Sequence, residues 1–188
     1  MRMRTVLHVD DDARLRAGVA RALRREPYEI LGVAGAAEAL AVLRACLVDV
    51  LVCDEAMPGM LGTELLAQVR REFPGVVSIL LTGYGSLEVA QRAVNQGQVY
   101  RLLTKPCDAD GLAVAIREAL RHKLLLEHGG APAGELAVAG PTTTADDDPY
   151  PTTPVIELDD APVDLQQLLA ELEARREPVA GPAAASGD

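Results

Sequence analysis

Four short stretches of this chain place oxygen- or nitrogen-bearing side chains at the ends of apolar runs. "TVLHV" (5–9) leads into Asp10, Asp11 and Asp12, and "DVLVCD" (49–54) ends on Asp54. "VVSILLTG" (76–83) carries Thr82, and "VYRLLTKP" (99–106) carries Lys105 just before Pro106. Carboxylates crowded together repel one another and lose solvation, so three in succession call for a counter-charge. A hard divalent cation supplies it. Mg2+ takes a few carboxylate and carbonyl oxygens and leaves positions open for phosphate oxygens. An aspartate beside such a cation can attack phosphorus and form an acyl phosphate. The transferred group spreads charge over three oxygens, which an ammonium and a hydroxyl are suited to meet. Phosphoryl transfer is the chemistry this set of groups fits.

These groups meet only if the runs that carry them lie side by side with their ends level. Each run is followed by a helical pattern. "ARLRAGVARALRRE" (13–26) sets Leu15, Val19, Ala22 and Leu23 on one face, and Pro27 stops it. "EILGVA" (29–34) reads as a second strand and "AAEALAVLRA" (36–45) as a second helix. "DVLVCD" is a continuous apolar run closed by an acid, the mark of a strand buried on both faces. "GTELLAQVRREF" (62–73) gives a third helix closed by Pro74, and "VVSILLTG" a fourth strand. "SLEVAQRAVNQG" (86–97) gives a fourth helix with Ser86 as its cap and Gly97 at its end. "VYRLLTKP" is the fifth strand, and "DADGLAVAIREALRHKLLLE" (108–127) the fifth helix. Five such units predict an α/β fold: a doubly wound, flavodoxin-like (βα)5 five-stranded parallel sheet, because parallel neighbours need right-handed helical crossovers. Ligands bind such sheets at the carboxyl ends of the strands, where all the groups named above sit.

Composition narrows the classes. The chain has 188 residues with no Trp, one Phe and four Tyr, so its core must be aliphatic. Cys46, Cys53 and Cys107 form an odd set without CxxC spacing, which argues against a disulfide framework or zinc site and for reduced cytoplasmic thiols. No apolar run approaches the ~20 residues of a membrane span, and the N-terminus lacks the parts of a signal peptide. Charge is uneven. Residues 1–128 hold 16 basic and 16 acidic side chains, whereas residues 129–188 hold 2 and 12, so the net −10 lies in the final sixty residues. Phosphates would repel such a tail, and no basic stripe precedes it, so nucleic-acid and membrane partners are not expected.

The organisation predicted is a folded domain over 1–127 and a Pro/Gly/Thr/Asp-rich disordered linker over 128–163. A short amphipathic helix follows over 164–177, then disorder over 178–188. In that helix Leu165, Leu168, Leu169 and Leu172 share one face and Asp164 can cap it. About 14 residues form a marginal helix alone.

"VDDD" (9–12), "DVLVCDEAMPGM" (49–60), "ILLTGYG" (79–85) and "YRLLTKPCD" (100–108) resemble, in order and spacing, the CheY-like receiver domain of bacterial two-component response regulators. The resemblance covers residues 5–126. It implies that Asp54 is the phosphoacceptor, charged by a histidine kinase or phosphotransfer protein. It implies that Asp10, Asp11 and Asp54 hold Mg2+ with the backbone carbonyl of Ala56. Thr82 would hydrogen-bond the phosphoryl group, Lys105 would pair with it, and the Lys105–Pro106 peptide would be cis. The output would be a changed protein–protein surface made by the fourth helix, fifth strand and fifth helix, which could also form a homodimer. Such a protein modifies itself and is not an enzyme in the ordinary sense, and no DNA-binding output domain is recognised. Two departures stand out. Receivers commonly carry an aromatic three residues before the lysine, and here that position is Leu102, with Tyr100 two residues earlier. The usual G-x-D-G after Met57-Pro58 is "GMLG", with Leu61 in place of an acid.

Plainer roles compete. Asp12 precedes the first helix and reads as its N-cap. His8 and Cys53 read as core residues, His8 with its hydrogen bonds satisfied. The threonines at 142–144 and 152–153 read as linker. Two rival functions remain: a binding or scaffold module that works through the acidic tail, and a haloacid-dehalogenase-type phosphohydrolase. The latter requires D-x-D-x-[TV] after the first strand, a pattern broken here by Arg14.

Overall fold

The apolar runs become a parallel sheet. In the computed structural model, which describes residues 2–83, 99–128, 138–139 and 170, five strands form: β1 (Arg4–Val9), β2 (Tyr28–Val33), β3 (Val50–Asp54), β4 (Val77–Thr82) and β5 (Arg101–Thr104). They lie side by side in the order β2-β1-β3-β4-β5. The two runs with the most continuous apolar sequence occupy the middle: every residue of β3 and of β4 is buried. Helices α1 (Ala13–Ala22), α2 (Ala36–Ala45) and α3 (Gly62–Glu72) follow the first three strands, and α4 (Ala109–Glu127) follows β5. The helix predicted over 86–97 lies outside the described residues. So does the one predicted over 164–177 apart from Ala170, which is helical and exposed.

Alternation along each strand sends side chains to two apolar layers. Leu7, Val9, Leu51, Cys53, Leu80 and Leu102 pack with Leu40 and Leu43 of α2 and Leu65, Leu66 and Val69 of α3. On the other face Val6, Val50, Val52, Ile79, Leu81 and Leu103 pack with Leu112, Ile116 and Ala119 of α4. The flavodoxin-like (βα)5 expectation is therefore met in its sheet. Helix α1 departs from its predicted face: Leu23 is buried and Val19 half-buried, but Leu15 and Ala22 are exposed. It also ends well before Pro27, with Leu23 as its C-cap. Two residues, Val138–Ala139, add a short sixth strand, β6, parallel to β5. They fall in the stretch read as linker.

At the amino edge of the sheet, Asp49 is fully buried and accepts from both terminal nitrogens of Arg2, from Arg4 Nη1 and from the Thr5 N–H. Arg4 also grips Glu127 at the end of α4 with two hydrogen bonds, tying the first strand to the last helix. Those bonds hold the Glu127 carboxyl down at about 2. The two ends of the sheet are thus distinct: ion pairing at the amino edge, and the groups capable of chemistry at the other.

Candidate functional site

Register levels those groups. Val9 pairs with Cys53, so Asp10 lies level with Asp54. Asp54 pairs with Leu81 and Thr82 with Thr104, so Thr82 lies one step beyond Asp54 and Lys105 two. The chain order turns back between β1 and β3, which makes this the switch point of the sheet, the place where such sheets bind ligands.

Asp10, Asp11 and Asp54 each bring a carboxylate oxygen to within 4.8 Å of the others, Asp10 and Asp54 buried and Asp11 exposed. Lys105 Nζ bridges two of them, at 3.1 Å from Asp10 Oδ2 and 2.9 Å from Asp54 Oδ1. Burial pulls the pKa of this ammonium down, but its bonds to Asp54 and Asp10 outweigh that and leave it raised. One cation against three carboxylates leaves the cluster with a net negative charge in a poorly solvated place. Hard oxygen donors with that surplus fit Mg2+, which favours oxygen and retains open positions. Ala56 is exposed between buried Glu55 and Met57, on the loop that leaves β3.

The surroundings hold these side chains in place. Asp10 Oδ1 accepts the Asp12 N–H at 2.9 Å, and Asp10's own carbonyl accepts from Arg16 Nη1 at 2.6 Å. Asp12 points away and accepts the N–H groups of Arg14 and Leu15 as the N-cap of α1. Thr82 is fully buried, with its hydroxyl donating to the Gly83 carbonyl at 3.2 Å. The Thr82 carbonyl accepts the Lys105 N–H at 2.7 Å, and the Lys105–Pro106 bond is cis.

Leu102 and Tyr100 part company. Leu102 is buried in the layer with α2 and α3. Tyr100 packs on the opposite layer and stacks on His122 of α4, ring centres 4.6 Å apart. Tyr100 precedes β5, where the chain is not yet extended, so strand alternation does not govern it. Cys53 is core, its thiol pushed up by burial and donating to the Asp54 carbonyl. His8 is buried as expected, but neither ring nitrogen has a hydrogen-bond partner among the described residues. Apolar burial holds its pKa down at about 4. Two residues near the site were given no role by sequence: Arg16, which looks like any arginine on an exposed helix, and Glu55, whose acid beside Asp54 was the available signal.

The chain matches the response regulator receiver domain family over residues 6–117. It is 38% identical over 116 residues to the hydrogenase transcriptional regulatory protein HoxA of Cupriavidus necator, covering 62% of this chain and 24% of that protein. Among solved structures, a signal receiver domain of an HD domain-containing protein from Pseudomonas fluorescens is 32% identical with a TM-score of 0.64, covering 68% of this chain and 94% of that one. A CheY-like receiver domain protein from Methanospirillum hungatei is 32% identical with a TM-score of 0.62, covering 69% and 100%. The chain spans about a quarter of the length of the curated relatives it matches.

Proposed function

This chain belongs to the family of response regulator receiver domains, and on that premise we propose that Asp54 accepts a phosphoryl group from a histidine kinase or phosphotransfer protein. The observation that carries the reading is the convergence of Asp10, Asp11 and Asp54 within 4.8 Å, with Lys105 bonded to two of them. Asp10, Asp11, Asp54 and the Ala56 carbonyl would hold Mg2+. The cation, when bound, offsets charge on the phosphoryl oxygens. Lys105 keeps the Asp54 carboxylate oriented and exchanges that contact for one to the phosphoryl group. The Thr82 hydroxyl, now spent on Gly83 O, turns to a phosphoryl oxygen. Phosphorylation adds ~−1.5 to −2 charge, and the face built on β5 and α4 repacks.

The output of this reading is a protein–protein contact, with the same face available for a homodimer, rather than a nucleic-acid contact. The protein works in the cytoplasm on no substrate beyond its phosphodonors. No helix among the described residues is long and apolar enough to cross a membrane. Residues 1–127 act as the receiver, and 128–163 link it to the segments 164–177 and 178–188. With Leu102 where receivers commonly have an aromatic, the response to Thr82 runs through an aliphatic core contact.

The test is incubation with a small acyl phosphate, with and without Mg2+, followed by intact mass. A gain of one phosphoryl group that needs Mg2+ is expected. No gain, or a gain that persists after chelation, contradicts the reading. Steady hydrolysis of phosphate monoesters would instead favour the phosphohydrolase.

A further inference from the structure

Helix α3 begins with half a capping box: Glu64 Oε2 accepts the Leu61 N–H at 3.0 Å, but Leu61, the N-cap, has no side-chain acceptor to return to the first turn. The helices α1 and α4 each use a local aspartate, Asp12 and Asp108. A helix start leaves its leading N–H groups without partners, so α3 must find acceptors elsewhere.

It finds them seven residues upstream, beside the proposed phosphoacceptor. Glu55 Oε2 accepts the Thr63 N–H at 2.8 Å, Glu55 Oε1 accepts the Thr63 hydroxyl at 3.1 Å, and the Glu55 carbonyl accepts the Gly62 N–H at 3.0 Å. The Glu55 N–H in turn donates to the Leu81 carbonyl at 2.8 Å. One residue therefore joins β4, the end of β3 and the first turn of α3. Glu55 is only 2% exposed. Burying a carboxylate is costly unless it is well bonded, and burial pushes its pKa up against the two Thr63 bonds that pull it down.

We propose that Glu55 is a positioning residue: by standing in for the missing cap at Leu61 it clamps α3 to the Asp54 loop and fixes the Ala56 carbonyl relative to Asp54 for a divalent cation. The proposal rests on the phosphoryl-transfer reading of the site. Glu55 touches neither cation nor phosphate. It acts through the peptide that links it to Ala56.

Mg2+ alone, titrated calorimetrically into the full chain, tests this alongside thermal unfolding. Removing an outer-shell partner weakens metal affinity roughly tenfold or more, and Glu55→Ala should do so. Glu55→Gln should bind close to wild type, because its amide oxygen accepts the Thr63 N–H and its NH2 donates to the Thr63 hydroxyl. Adding Leu61→Asp to Glu55→Ala should restore the unfolding temperature, by supplying a local cap, but not the affinity. If Glu55→Ala fails to fold, Glu55→Asp, too short to reach Thr63, takes its place. Wild-type affinity in Glu55→Ala overturns the proposal. So does an equal loss in Glu55→Gln, which would indicate charge alone, or recovery of affinity with Leu61→Asp, which would indicate helix capping alone. Mg2+ binding that is absent in wild type, or unaffected by Asp11→Asn, overturns the site reading and this proposal with it.

Discussion

Gly62→Ala sets two effects against each other at the site. Gly62 is the first residue of α3, where alanine is ordinarily the better helix former by up to about 1 kcal/mol. Propensity alone predicts a more stable protein. The packing predicts the reverse: a Cβ at this position would overlap the Asp54 carbonyl oxygen and lie 2.9 Å from Glu55 Cα. Those atoms cannot swing aside like a side chain. Asp54 is paired to β4, and Glu55 N–H is bonded to Leu81. Overpacking of this kind costs about 1–3 kcal/mol, so the net expectation is destabilisation of about 1–2 kcal/mol. Either α3 backs away or the Asp54–Glu55 peptide tilts, and Mg2+ affinity should fall with stability. Urea denaturation of both proteins, with unchanged slope, measures the first, and Mg2+ titration the second. A Gly62→Ala protein at least as stable as wild type would refute the reasoning.

Three further outcomes follow from the same contacts. The pKa of His8 is lowered from 6.5 to about 4, so the unfolded chain binds the extra proton first. Without divalent cations, stability should be full above pH 6.5 and decline as pH falls towards 4, by about 2 kcal/mol at pH 5. His8→Leu should flatten that part of a urea-denaturation pH series and leave the protein no less stable at pH 7; an unchanged slope would contradict the assignment. Asp49→Ala strips a buried acceptor from Arg2, Arg4 and the Thr5 N–H, and should cost about 3 kcal/mol by the same denaturation assay. Mg2+ at a hundred times its dissociation constant should stabilise wild type by about 2.7 kcal/mol, seen as a raised Tm, and Asp11→Asn should lose most of that gain.

The sheet was legible because β3 and β4 are continuous apolar runs buried on both faces, and because each delivers its polar residue one step past its last apolar one. That step, combined with level strand ends, was enough to bring Asp10, Asp54 and Lys105 together on paper. What escaped depends on neighbours distant in sequence. The face of α1 was misjudged because a helix so rich in Ala and Arg shows a weak stripe, and only Val19 and Leu23 find the sheet. Tyr100 follows the irregular chain before β5, not the strand period. His8 shows its missing partners only once its surroundings are known to be apolar. Glu55 shows its role only beside Thr63, and Leu61, noted in the sequence as a departure, is explained by it.

Central to the account is that the acidic cluster serves Asp54. The most direct measurement is peptide mapping after treatment with a small acyl phosphate and Mg2+, with borohydride used to trap the acyl phosphate. The account predicts one modified residue, Asp54, and no label in Asp54→Ala. Label on Asp10 or Asp11 in the wild type, or label that survives in Asp54→Ala, would contradict it.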